Sequence, residues 1–168
     1  MGLSMHQVCV PTVTRALNNL IGILEKGAAH CEAKKIDPAV MISSRLYPDM
    51  FPLSKQVQIA SDIAKSGPSR LAGVEAPKYE DNEASFADLI ERVRKTIKYV
   101  EGIKPEQFDG ADTRTIKWTQ QNKEMEQVGK DYLFKRVIPN VLFHCSTAYN
   151  ILRHNGVEIG KADFLGKM

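Results

Sequence analysis

A chain of 168 residues is long enough to bury one sizeable core, and 43% apolar with 26% charged residues is the composition of a globular protein. Twenty-three basic against twenty acidic side chains leave only +3, too little for a nucleic-acid-binding face, which needs clustered positive charge. No apolar run approaches the roughly 20 residues that cross a bilayer, and no basic-then-apolar leader is visible, so neither a membrane nor a nucleic-acid partner is expected. Cys9, Cys31 and Cys145 are odd in number and lack a Cys-x-x-Cys pair, which implies reduced thiols and a cytoplasmic location.

Ser4-Met5-His6-Gln7 has capping-box form and opens a first helix. Met5, Cys9, Val13, Ala16, Leu20, Leu24 and Cys31 share its buried face, and Pro11 should kink it. Lys34 to Phe51 is a connection with Pro38, Pro48 and one short helical turn. A second helix starts at Pro52 and buries Leu53, Val57, Ala60, Ile63 and Ala64. Gly67-Pro68 breaks or bends it before a last turn to Gly73, and Ala76 to Asn82 is a loop.

Ser85 caps a third helix whose stripe is Phe86, Leu89, Ile90, Val93, Ile97 and Val100, ending at Gly102. Its basic residues Arg92, Arg94, Lys95 and Lys98 read as a solvated face, with Glu91 four before Lys95 as a helix pair. Thr115 to Thr119 alternates, Gln121-Asn122 turns and Glu124 to Val128 returns, giving a small hairpin. The fourth helix, Asp131 to Gly156, turns Leu133, Val137, Val141, Ala148, Ile151 and Leu152 inward, with a kink at Pro139. Four amphipathic helices and one hairpin predict an all-α four-helix bundle, a single domain over residues 1–168.

At about 100° per residue, His144 falls inside the fourth helix's apolar stripe and Gln56 inside the second's. Each is either a core polar group with its own partner or the lining of an inter-helix pocket. His154 lies ten residues after His144, which is about 15 Å along the axis and about 80° around it. One ion cannot take both. Four before His154 stands Asn150, a poor transition-metal ligand, and His154 also suits the negative end of the helix dipole before the Gly156 stop. His30-Cys31 and His144-Cys145 diverge on their helices and are not nucleophile–base pairs. His6 is a further candidate for ligand or partner contact. Phosphate loops, His-Glu-x-x-His runs and Gly-x-Ser-x-Gly elbows are missing from the sequence.

Ser4-Met5, Pro11, Arg15-Ala16-Leu17-Asn18-Asn19-Leu20, Lys35-Ile36-Asp37-Pro38, Pro48-Asp49-Met50-Phe51-Pro52-Leu53, Gln56-Val57-Gln58-Ile59-Ala60 and Ile151-Leu152-Arg153-His154-Asn155-Gly156-Val157 together resemble a bacterial family of unknown function. That family is similar to the DinB-like superfamily of damage-inducible and thiol-transferase-like bundles. The resemblance implies helices running up-down-down-up, a long crossover, and in many members a metal held by three histidines. One comes from early in the second helix and two, four apart, from the fourth. Here those places hold Gln56, Asn150 and His154, so the triad does not carry over. The topology would gather His30, Cys31, Gln56 and His154 at one end, under a lid of Arg45-Leu46-Tyr47-Pro48-Asp49.

The expected function is therefore a small-molecule-binding protein or degenerate enzyme, its pocket drawn from Gln56, His144, His154, Asn150, Tyr47 and His30. No cofactor is expected. A first alternative is a metal-dependent hydrolase or thiol transferase, for which His154 is the best single ligand, with His30 or Asp49 assisting. The second is a non-catalytic homodimer, favoured by the resemblance and by an exposed Trp118 on the hairpin.

Overall fold

Ser4 Oγ accepts from the Gln7 backbone N–H while the Gln7 side chain accepts from that of Ser4, and this reciprocal pair starts α1 (Met5–Lys34). The computed structural model describes residues 2–166. The helix runs through Pro11 and stops at Lys35, whose left-handed backbone returns its N–H to the carbonyls of Cys31 and Glu32. Asp37 caps a short α2 (Pro38–Ser43). α3 (Leu53–Ala72) passes through Gly67-Pro68 without the expected break and ends at left-handed Gly73. α4 (Phe86–Glu101) begins where Ser85 accepts from the Asp88 N–H.

A 3₁₀ turn at Pro105–Phe108 leads to β1 (Thr115–Gln120) and β2 (Lys123–Val128), paired antiparallel from Thr115–Val128 to Gln120–Lys123. Gln121 and Asn122 both take positive φ, the I′ geometry that matches strand twist. Trp118 is buried here, with its ring 5.1 Å from that of Tyr132 and Arg136 above it at 4.7 Å, which corrects the expectation of an exposed aromatic.

The last long helix comes in three consecutive parts: α5 (Gly129–Tyr132), a π turn at Leu133–Val137, and α6 (Ile138–His154). Pro139 has no N–H for the carbonyl of Lys135, and just before it the Ile138 N–H reaches back to Leu133. The expected kink at Pro139 is thus a widened turn. A short α7 (Lys161–Leu165) docks on α1: Arg15 donates to the Leu165 carbonyl, Asn19 to that of Phe164, and Lys26 pairs with Asp163.

Side-chain contacts give the directions of the four long helices. Asp62 meets Arg92 and Ser69 meets Tyr99, so α3 and α4 are parallel. Gln56 meets His144 and Gly67 meets Val137, so α3 and α6 are antiparallel. Gly27 backs onto both Phe86 and Leu152, and His6 lies edge-on to Phe108. α4 therefore descends along α1. α1 packs against α4 and α6, and α3 packs against the same two. This is the up-down-down-up bundle. Its core is the shared burial of Leu17, Leu20, Leu24, Leu53, Val57, Leu89, Val93, Ile151 and Leu152.

Two glycines are required by close approach. A Cβ on Gly67 would sit 2.6 and 2.8 Å from the Val137 methyls, and one on Gly129 would fall on the Ala111 carbonyl oxygen. Both mark where the π-turn region presses on its neighbours.

The parallel α3–α4 pair demands a long crossover, and ionic contacts hold it down. Residues 73–85 run back along α3, with Lys55 bonded to Asp81 and Gln58 to Glu83. Arg92 anchors the segment by donating to Glu83 at 2.8 Å, to the Glu80 carbonyl at 2.9 Å and to Asp62 at 2.9 Å, with Asp81 at 3.0 Å. Lys65 adds a second contact to Asp62. Burial opposes the charge of Arg92, but the bond to Glu83 and the fields of Asp62, Glu83 and Asp81 more than offset it and raise its pKa. Arg92 is only 4% exposed. The expectation that it shares a solvated face with Arg94, Lys95 and Lys98 is corrected, and Glu91 and Lys95 form no ion pair among the described residues.

Candidate functional site

Gln56 lies in the first turn of α3 and His144 in the middle of α6, and the antiparallel packing brings them together. They are 2% and 8% exposed, with Gln56 Oε1 and His144 Nδ1 2.7 Å apart. Gln56 Nε2 donates to the Phe51 carbonyl at 3.1 Å, which fixes the amide's orientation, because the reverse would set two acceptors face to face. Oε1 must then accept, so Nδ1 of the imidazole carries the proton. Burial holds the His144 pKa below its ordinary 6.5, which leaves the ring neutral at pH 7. A neutral ring protonated on Nδ1 has its lone pair on Nε2. Among the described residues Nε2 has no hydrogen-bond partner. Phe143 supports the ring edge-on at 5.1 Å between centroids.

The connection above this pair is tied at both ends. Leu53 N–H donates to the Ser44 carbonyl, and the Arg45 guanidinium donates to that of Met50 at 3.1 Å. Phe51 belongs to this connection, so one continuous path runs from the segment through the Phe51 carbonyl and Gln56 to His144. Tyr47 and Phe51 are 65% and 54% exposed. Among the described residues, the prominent surface clefts of 350–620 Å³ are lined by neither His144 nor Gln56. In place of the enclosed pocket expected between the two, imidazole and amide meet directly.

His30 lies against Gly156, in a cleft shared with Lys26, Lys34 and Glu158. The end of α1 and the end of α6 do meet, as expected. Gln56 does not join them. It is level with His144, ten residues before His154 and so about 15 Å along α6. Asn150 and His154 are both exposed, and neither lines the His30 cleft. The expected gathering of His30, Cys31, Gln56 and His154 at one end of the bundle is corrected for Gln56, which pairs with His144 in the middle of α6.

Cys9, Cys31 and Cys145 are free and buried, and burial pushes Cys9 and Cys145 up to about 12, so none is poised as a nucleophile. The three-histidine arrangement of the wider superfamily finds no matching donors. The Gln56 amide is spent on His144 and Phe51, Asn150 and His154 face solvent, and among the described residues no three His, Cys, Asp or Glu side chains could share an ion. These residues do not fit such a metal. The arrangement instead offers an oriented, neutral imidazole that can accept a hydrogen bond or a proton at Nε2.

The buried Arg92 cluster went unread in the sequence. Its signal was present: Arg92 stands three after Leu89 and four before Thr96, both fully buried, and so lies inside the helix's buried stripe.

The family model described as a domain of unknown function, DUF1993, matches residues 5–165. Among curated proteins none matches. The crystal structure of a DinB family member protein from Shewanella denitrificans is 42% identical, covers 98% of this chain and 93% of its own, and superposes with a TM-score of 0.89. The chain belongs to the DUF1993 family and has the fold of the DinB-like proteins.

Proposed function

We propose that the protein is a small-molecule-binding member, or degenerate enzyme, of the DinB-like bundles, and that His144 is its polar anchor. The observation that supports this is the relay from the Phe51 carbonyl through Gln56 to Nδ1 of His144. A neutral imidazole has one donor and one acceptor nitrogen, and the bond to Gln56 satisfies only the donor. The ring is held in a single tautomer by a residue that is itself fixed by the connection carrying Tyr47 and Phe51, and its Nε2 lone pair is left for another partner. A ligand carrying a hydrogen-bond donor would complete the ring's bonding at that lone pair. The span of the family match, residues 5–165, supports reading the whole chain as one domain. Three buried free thiols fit a reducing compartment, and no helix of the described residues is long and apolar enough to cross a membrane.

The test is a small-molecule screen by thermal shift, with each hit followed by the His144 ring signals in NMR. Hits should move those signals and lose their effect in His144→Ala. Hits that raise Tm equally in both proteins and leave the ring signals in place refute the reading.

A second reading has its own observation. Phe134, Leu142 and Phe143 are 48%, 38% and 57% exposed along the last long helix, which suits a homodimer through that face. A monomeric mass at micromolar concentration would contradict it.

A further inference from the structure

We propose that a second binding site lies at the opposite end of α3 from Gln56, between residues 74–79 and the C-terminal half of α4, and that it takes a small carboxylate with an apolar body. The cleft there measures about 620 Å³, a size suited to a small ligand. Lys95, Lys98, Tyr99 and Gly102 line it at i, i+3, i+4 and i+7, so they form one stripe of α4 facing the crossover. Val74, Pro77 and Ile103 provide the apolar wall.

Charge decides what fits. Three cations stand over the Tyr79 ring, Lys98 lines the same cleft, and the four divide into two kinds. Lys65 and Arg92, at 4.6 and 5.4 Å from the ring centre, are occupied by Asp62, Asp81 and Glu83. Lys95 stands 4.4 Å from the ring centre and also lines the cleft. Neither Lys95 nor Lys98 belongs to any ion pair among the described residues. Glu75 is the one carboxylate on the lining, against these two ammonium groups. An anion therefore finds net attraction without breaking an ion pair.

The walls are held in place before any ligand arrives. The Tyr99 hydroxyl is 2.8 Å from Ser69 Oγ and donates to the Glu75 carbonyl at 3.0 Å, joining α3, the crossover and α4. The orientation of a ligand follows from the helix. α4 ends at Gly102, where unsatisfied carbonyls disfavour negative charge. The carboxylate sits at the Lys95–Lys98 end and the apolar body lies toward Val74 and Ile103.

The probe is sodium octanoate titrated into the full chain and followed by backbone amide NMR, with 1-octanol and acetate as controls. Octanoate should move the amides of residues 74–79 and 95–103 saturably. A charge-assisted contact of this kind corresponds to roughly a tenfold affinity difference, so octanol and acetate should each bind at least about tenfold more weakly. The double variant Lys95→Gln/Lys98→Gln, at exposed positions, should lose octanoate affinity by about tenfold or more and keep the rest of its amide spectrum. Octanol binding as tightly as octanoate, shifts confined to other regions, or an unchanged affinity in the double variant would each overturn the proposal. His144→Ala should leave octanoate binding intact, which separates this site from the His144 reading.

Discussion

Gly67→Ala sets two known effects against each other, and the structure says which prevails. In a free helix interior the change stabilises by about 0.5–1 kcal/mol, because alanine loses less backbone entropy. Here the new Cβ would lie 2.6 and 2.8 Å from the two methyls of Val137 and 3.3 Å from its Cβ, against an ordinary carbon contact of about 3.5–4.0 Å. Rotating Val137 replaces one methyl by the other and leaves its Cβ where it is, so the side chain cannot clear the space. α3 and the π turn must separate, and overpacking of this kind costs about 1–3 kcal/mol. The net expectation is a loss on the order of 1–2 kcal/mol. Val137→Ala alone leaves a cavity and costs about 1–3 kcal/mol. In the double variant the alanine methyl takes up space that Val137 vacates, so the loss should fall short of the sum by about 1 kcal/mol. Urea unfolding followed by circular dichroism measures all four corners of this cycle. A Gly67→Ala protein as stable as the parent, or additive losses, would refute the close approach.

Arg92→Met should cost about 3 kcal/mol, since it leaves the buried Glu83 carboxylate without its cation and bonded only to the Gln58 amide, and the exposure of Asp62 and Asp81 (42% and 35%) keeps it from costing more. Arg94→Met breaks only an exposed pair with Glu25 and should stay within about 0.5 kcal/mol in the same unfolding assay. A thiol-specific chromogenic disulfide at pH 8 should find Cys9, Cys31 and Cys145 silent in the folded protein and all reactive in urea, and rapid native labelling would contradict their burial. Because the folded His144 pKa lies below 6.5, the unfolded chain takes up a proton below pH 6.5 that the folded chain refuses, so stability should fall from there toward the folded pKa. His144→Gln should flatten that part of the pH–stability curve. The Asp81 carboxyl, lowered first by its bond from Lys55, contributes above about 3.8 and is lost at more acid pH.

Local signals in the sequence carry most of this fold. Ser4 with Gln7, Ser85 and Gln121-Asn122 act through bonds within a few residues of themselves, and each does in the structure what its spacing predicts. Gly67-Pro68 and Pro139 were harder to read, because their outcome depends on a neighbour. Gly67 is required by Val137 across the bundle, and Pro139 is accommodated by a π turn that no single-helix rule would select. Arg92 was hidden by its charge, since burial of a guanidinium makes sense only once Asp62, Asp81 and Glu83 arrive from α3 and the crossover. For the site, angular placement put His144 and Gln56 inward correctly. Helical periodicity carries no information on the relative heights of two helices. It therefore could not show that the two touch, although the ten-residue spacing already set His154 about 15 Å beyond His144.

The central claim is that Gln56 fixes His144 as a neutral ring with its lone pair on Nε2. Long-range ¹H–¹⁵N NMR of the ring, followed from pH 8 to pH 4, tests it directly. The account predicts a protonated Nδ1 and a bare Nε2 at pH 7, titration below 6.5, and loss of this single tautomer in Gln56→Leu. A proton on Nε2 at pH 7, or a ring already charged there, would contradict it.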